Sequence, residues 1–93
     1  MKAQMHNYST WIDETNPAKL YKEYTKLLKD SGFTILNYVE HHFQPQGYTA
    51  LFLLGESHFA VHTFPEHNES YIELSSCVRE PYDAFIKRIN RDG

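Results

Sequence analysis

Residues 48–77 read YTALFLLGESHFAVHTFPEHNESYIELSSC, and this run decides the fold. Tyr48 to Leu54 is nearly all apolar, which suits a central strand covered on both faces. His58 to Phe64 follows as a second strand, and Pro65 to Ser70 turns the chain into a third, Tyr71–Cys77. In the third strand Ile72 and Leu74 share one parity, whereas Tyr71, Glu73, Ser75 and Cys77 share the other. In the second, His58, Ala60, His62 and Phe64 alternate against Phe59, Val61 and Thr63. One sheet face is expected to meet helices. The other is expected to be polar and functional, or to pair with a second protomer.

Working outward, Gln44-Pro45-Gln46-Gly47 is a turn by composition. Phe33 to Phe43 predicts a strand with Phe33, Ile35, Val39 and Phe43 on one parity. Before it lies a helix. Asn16 can cap free backbone N–H groups, and Pro17 is preset for the first helical position. Leu20, Tyr21, Tyr24, Leu27 and Leu28 recur at helical spacing as a core stripe, with Lys22, Lys26 and Lys29 on the solvated side. Gly32 supplies the left-handed stop. Met5 to Ile12, with Tyr8, Trp11 and Ile12, predicts a first strand. Glu80-Pro81 opens a short last helix in which Tyr82, Phe85, Ile86 and Ile89 form the apolar stripe. The order β-α-β-β-β-β-α predicts one α+β domain over residues 1–93. Its expected form is a two-layer sandwich, an antiparallel sheet with two helices on one face.

Composition narrows the function. A net charge of -3 argues against a nucleic-acid binder, whose footprint would be a basic patch. No apolar run approaches the roughly 18 residues of a membrane span, and MKAQMHNYST has no apolar stretch of the kind a secretory signal needs. A single cysteine fits a reducing compartment, so the cytoplasm is expected. Histidines at 58 and 62 have a zinc-binding spacing only on a helix. In a strand they stand about 13 Å apart, too far to share an ion, and no metal is expected.

The run Glu56-Ser57-His58, then His62-Thr63, Pro65-Glu66 and Cys77, resembles the processing and active-site region of the small prokaryotic S-adenosylmethionine decarboxylases. The resemblance is strongest from Phe33 to Cys77. It implies a self-processing enzyme that cleaves itself between Glu56 and Ser57. The Ser57 hydroxyl attacks the Glu56 carbonyl in an N→O acyl shift, and β-elimination then breaks the chain. The resulting dehydroalanine loses ammonia to become a pyruvoyl group, the implied cofactor. That group forms a Schiff base with the substrate amine and takes up the electrons released with carbon dioxide.

By the same resemblance His62 promotes the elimination, and Cys77 returns a proton to the substrate α-carbon. Phe43 and Phe64 sandwich the adenine of S-adenosylmethionine, and Glu66 holds the ribose hydroxyls. Thr49 stands where the family commonly has serine, and Phe64 where it commonly has tryptophan. The family usually continues past the second helix into another strand and a tail, so the domain is expected to lack that strand. The implied function is decarboxylation of S-adenosylmethionine for spermidine synthesis. The alternatives are the same chemistry on arginine or ornithine, or a non-cleaving, non-catalytic relative acting as a binding or regulatory subunit. A homodimer is expected, because a sheet this small with helices on one face has little core alone.

Overall fold

The Asn-Pro signal at residues 16–17 opens a helix as expected. In the computed structural model, which describes residues 2–91, α1 spans Pro17–Ser31 and the Asn16 side chain accepts a hydrogen bond from the Lys19 N–H at 3.0 Å. Met1, Asp92 and Gly93, and with them the expected end of the domain at residue 93, lie outside the described residues. Gly32 closes the helix at φ 107°, a left-handed conformation that costs glycine little. There the N–H groups of Gly32 and Phe33 reach the carbonyls of Lys29 and Leu28. Asn16→Ala should destabilise the domain by about 1 kcal/mol. That loss should appear as a thermal midpoint lower by roughly 4–8 °C.

The remaining elements are β1 (His6–Ile12), β2 (Ile35–His42), β3 (Tyr48–Leu54), β4 (Ser57–Phe64), a short 3-10 turn (Pro65–His67), β5 (Glu69–Ser76) and α2 (Arg79–Arg91). The strands form one antiparallel sheet in the order β1-β5-β4-β3-β2. Strands β2 to β5 are a meander, and α1 carries the chain across the sheet from the β1 edge to the β2 edge. Both helices cover the same face, so the two-layer α+β expectation holds. The structure starts β4 at Ser57 and β5 at Glu69, slightly earlier than the alternation alone suggested, and opens α2 at Arg79.

Between the layers lie Leu20, Tyr24 and Leu28 of α1, Phe85 of α2, and Phe52, Leu54, Phe59, Val61, Ile72 and Leu74 of the sheet. Full burial of each such aliphatic or Phe side chain contributes about 1.5–3 kcal/mol. Tyr21 differs from expectation. It is 45% exposed and only leans its ring on Tyr38 and Phe52.

The single parity expected for Phe33, Ile35, Val39 and Phe43 does not survive. Ile35 pairs with Leu54 and Asn37 with Leu53, so Leu36 is an extra residue that bulges from the ladder. The bulge flips the pattern. Phe33 and Ile35 stay with the core and Tyr38 takes the next inward place, whereas Val39 and Phe43 turn outward, 59% and 49% exposed.

Candidate active site

Strands β3 and β4 are joined by the two-residue loop Gly55-Glu56, with Leu54 paired to Ser57. Glu56 adopts φ 58°. A left-handed conformation costs a residue with a Cβ roughly 1–2 kcal/mol, and such strain is characteristic of functional segments. The strain sits on the residue whose carbonyl forms the Glu56–Ser57 peptide bond. Ser57 is the first residue of β4, one position before the start that the alternation predicts, and it is buried.

Both sides of that peptide are held. The Cys77 thiol donates to the Glu56 carbonyl oxygen at 3.2 Å and lies 3.8 Å from Glu56 Oε2. On the other side, the Ser57 hydroxyl donates to Ser76 Oγ at 2.6 Å. Ser76 is fully buried. Cys77 follows β5 directly, and Ser57 pairs with Ser76 across the β4–β5 ladder, which explains why residues twenty positions apart converge here.

His62 is elsewhere. It lies five residues along β4 from Ser57, about 17 Å at the usual strand rise and on the opposite face. Its Nδ1 is 2.9 Å from the Thr49 hydroxyl, so Nε2 is the ring nitrogen left for a reacting group. The register sets Trp11, Tyr71, His62, Thr49 and His41 in one row across all five strands on the open face. Trp11 packs against Tyr71 and Phe64 with ring centroids 5.3 Å and 5.7 Å apart.

Phe43 and Phe64 lie at this same end of the sheet, at the ends of β2 and β4, and both are exposed. Glu66 stands in the turn that follows Phe64. A cleft of about 310 Å³ beside them is bordered by Phe43, Gly47, Thr63 and Pro65. The expected site residues therefore fall into two clusters. Glu56, Ser57 and Cys77 occupy one end of β4, and Phe43, His62, Phe64 and Glu66 the other. One chain alone does not bring the two together.

The middle of the open face is apolar. Val39, Leu51 and Leu53 are 59%, 46% and 52% exposed, and with Asn37 and His58 they border a groove of about 270 Å³. A cavity of about 720 Å³ opens instead on the helix side, beside Tyr21, Tyr38, Glu40, His42 and Tyr48. There hydrogen bonds from Tyr48 and Tyr38 hold the Glu40 carboxyl below the usual carboxylate range, and burial raises both tyrosine hydroxyls. None of the expected site residues lines it, so size alone does not mark the chemistry.

Sequence reading did not identify Ser76, Trp11 or Tyr71 as site residues. The signal for Ser76 was a hydroxyl on the parity of Ile72 and Leu74, where an apolar residue belongs. Trp11 and Tyr71 enter only through the pairing of β1 with β5.

A family model described as S-adenosylmethionine decarboxylase matches residues 12–91. The S-adenosylmethionine decarboxylase proenzyme of Prochlorococcus marinus (strain MIT 9313) is 43% identical over 53 residues, covering 57% of this chain and 42% of its own. The proenzyme of Parasynechococcus marenigrum (strain WH8102) is 39% identical over 70 residues, 69% of this chain and 55% of its own. That of Brevibacillus brevis is 38% identical over 72 residues, 73% and 54% respectively. The chain thus spans about half the length of these relatives. The crystal structure of the adenosylmethionine decarboxylase from Aquifex aeolicus VF5 superposes with a TM-score of 0.65 at 22% identity, over 92% of this chain and 79% of that one. At that identity the likeness is one of fold.

Proposed function

Because the chain belongs to the S-adenosylmethionine decarboxylase family, we propose that it cleaves itself between Glu56 and Ser57 and decarboxylates S-adenosylmethionine with a pyruvoyl group made from Ser57. The pathway served is spermidine biosynthesis, and the compartment is the cytoplasm, where a lone cysteine stays reduced. The observation that carries the reading is the doubly held junction: a left-handed Glu56 whose carbonyl receives the Cys77 thiol, followed by a buried Ser57 whose hydroxyl is fixed. A hydrogen bond to the carbonyl oxygen stabilises the charge that develops there when Ser57 Oγ attacks.

These residues fit a terminal pyruvoyl group. Ser57 begins a strand, so a new chain end there stays anchored by the β4 ladder, and a thiol able to exchange a proton lies beside it. When formed, the group supplies an electrophilic carbonyl that takes up the substrate amine and the electrons left by carbon dioxide. Cys77 then returns a proton to the substrate α-carbon. Phe43 and Phe64 offer flat faces for the adenine, extended by Trp11 beside Phe64, and Glu66 offers a carboxylate for the ribose.

We infer that the working unit is a homodimer packed through the open sheet faces. The exposed row Val39, Leu51 and Leu53 is an apolar patch that a second copy would cover. Two copies in opposed orientation would set the His62 end of one against the Ser57 end of the other. A composite site of this kind supplies what each chain separates by the length of β4.

The substrate is tested by incubating processed protein separately with carboxyl-labelled S-adenosylmethionine, arginine and ornithine and counting released carbon dioxide. Release from S-adenosylmethionine alone is expected. Release only from arginine or ornithine would keep the mechanism and overturn the substrate. No release from any, with the chain whole, would identify a non-catalytic relative.

A further inference from the structure

The hydroxyl of Ser76 has no part in the roles assigned above, yet it touches the atom that must react. It accepts from the Ser57 hydroxyl at 2.6 Å and from the Val78 N–H at 2.9 Å, and donates to the Val78 carbonyl at 3.2 Å. One donor and two acceptor sites are all that a serine hydroxyl has, so its capacity is full. Both serines are buried, which leaves Ser57 little access to water as an alternative acceptor. Val78 precedes α2, and its carbonyl also receives the Tyr82 N–H at 3.4 Å. Ser76 Oγ is therefore tied to the start of a helix rather than to a mobile side chain.

We propose that Ser76 is the positioning residue for self-processing, holding the Ser57 hydroxyl so that its oxygen attacks the Glu56 carbonyl carbon. The inference rests on the self-cleavage reading above and adds a residue to it. In the acyl shift the Ser57 Oγ–C bond forms, the Glu56–Ser57 C–N bond breaks, and the hydroxyl proton ends on the freed amino nitrogen. Ser76 keeps no proton. A hydroxyl that donates to Ser76 has its lone pairs enriched, and the further bond from Ser76 to the Val78 carbonyl reinforces that polarisation. Cys77 holds the carbonyl oxygen from the other side. The two contacts place nucleophile and electrophile from opposite faces of the sheet.

The test compares Ser76→Thr with Ser76→Val, which share a shape and differ only in that a methyl replaces the hydroxyl. Each purified precursor is followed by intact mass, with and without hydroxylamine, which releases fragments from an ester but not from an amide. Thermal midpoint and near-ultraviolet circular dichroism report the fold. Thr should form ester within about threefold of the unaltered chain, whereas Val should form it about 10- to 100-fold more slowly with its fold retained, the loss expected when a reacting group is misplaced. If Val does not fold, Ser76→Ala, which removes only the oxygen, carries the same expectation. Equal rates for Thr and Val overturn the proposal. So does normal ester build-up in Val with only elimination slowed, since that would move Ser76 to a later step. An unaltered chain that stays whole and yields nothing to hydroxylamine overturns the self-cleavage reading itself, and this inference with it.

Discussion

Ser57→Ala should give a folded protein that never splits. Intact mass should show one species after any length of incubation, with or without hydroxylamine, and no carbon dioxide should be released from S-adenosylmethionine. The expectation is of complete loss, because alanine carries no nucleophile and nothing remains from which a carbonyl group can form. The fold should survive. The removed hydroxyl makes one hydrogen bond, to Ser76, which keeps its two contacts with Val78. Losing one such bond costs about 0.5–1.5 kcal/mol, small against the apolar layer formed by Phe52, Phe59, Phe85 and Leu74. Fragments at the Glu56–Ser57 junction in this variant would end the self-processing reading, since no other side chain in the loop has an oxygen in that place.

Local signals carried the architecture where they were chemically specific. Asn16-Pro17 and Gly32 bounded α1 because a side-chain cap, a fixed φ and a left-handed residue each act within one turn. The alternation of β5 was legible because Ile72 and Leu74 are both fully buried against the helix layer. The parity of β2 was not. Leu36 bulges because β3 offers one residue fewer opposite it, and that count is a property of the pair of strands. The site divides in the same way. Glu56, Ser57 and Cys77 were legible as a group, and the loop and ladder do unite them. His62 reads as a neighbour of Ser57 because the two are only five positions apart in sequence, yet an extended backbone turns that short interval into most of a strand. Ser76 stayed hidden, since its value lies in a register that pairs it with Ser57.

That strand length makes the second large effect a test of assembly. His62→Ala should stop processing after the ester, so that hydroxylamine releases fragments the untreated variant does not give. If His62 acted on the Ser57 of its own chain, it would have to cross about 17 Å along the strand, which a β4 paired on both sides does not allow. In the homodimer proposed above, the group that meets the Ser57 junction is His62 of the partner subunit. Co-expressing Ser57→Ala chains and His62→Ala chains under different tags separates the two arrangements. Each variant alone should remain whole. In mixed dimers the His62→Ala chain keeps its own Ser57 and faces an intact imidazole, so it should split, whereas the Ser57→Ala chain should not. Recovery should rise from none to nearly every His62→Ala chain held in a mixed dimer, because each such dimer contains one complete site. Mixed dimers that form and stay whole would rule out the shared site, and spontaneous cleavage of His62→Ala alone would remove His62 from the elimination step. The Thr49 contact to Nδ1 gives the result a further reading, since it fixes the ring on the open face, where the proposed second copy would sit. A strictly monomeric protein at micromolar concentration that still splits and decarboxylates would refute the dimer outright.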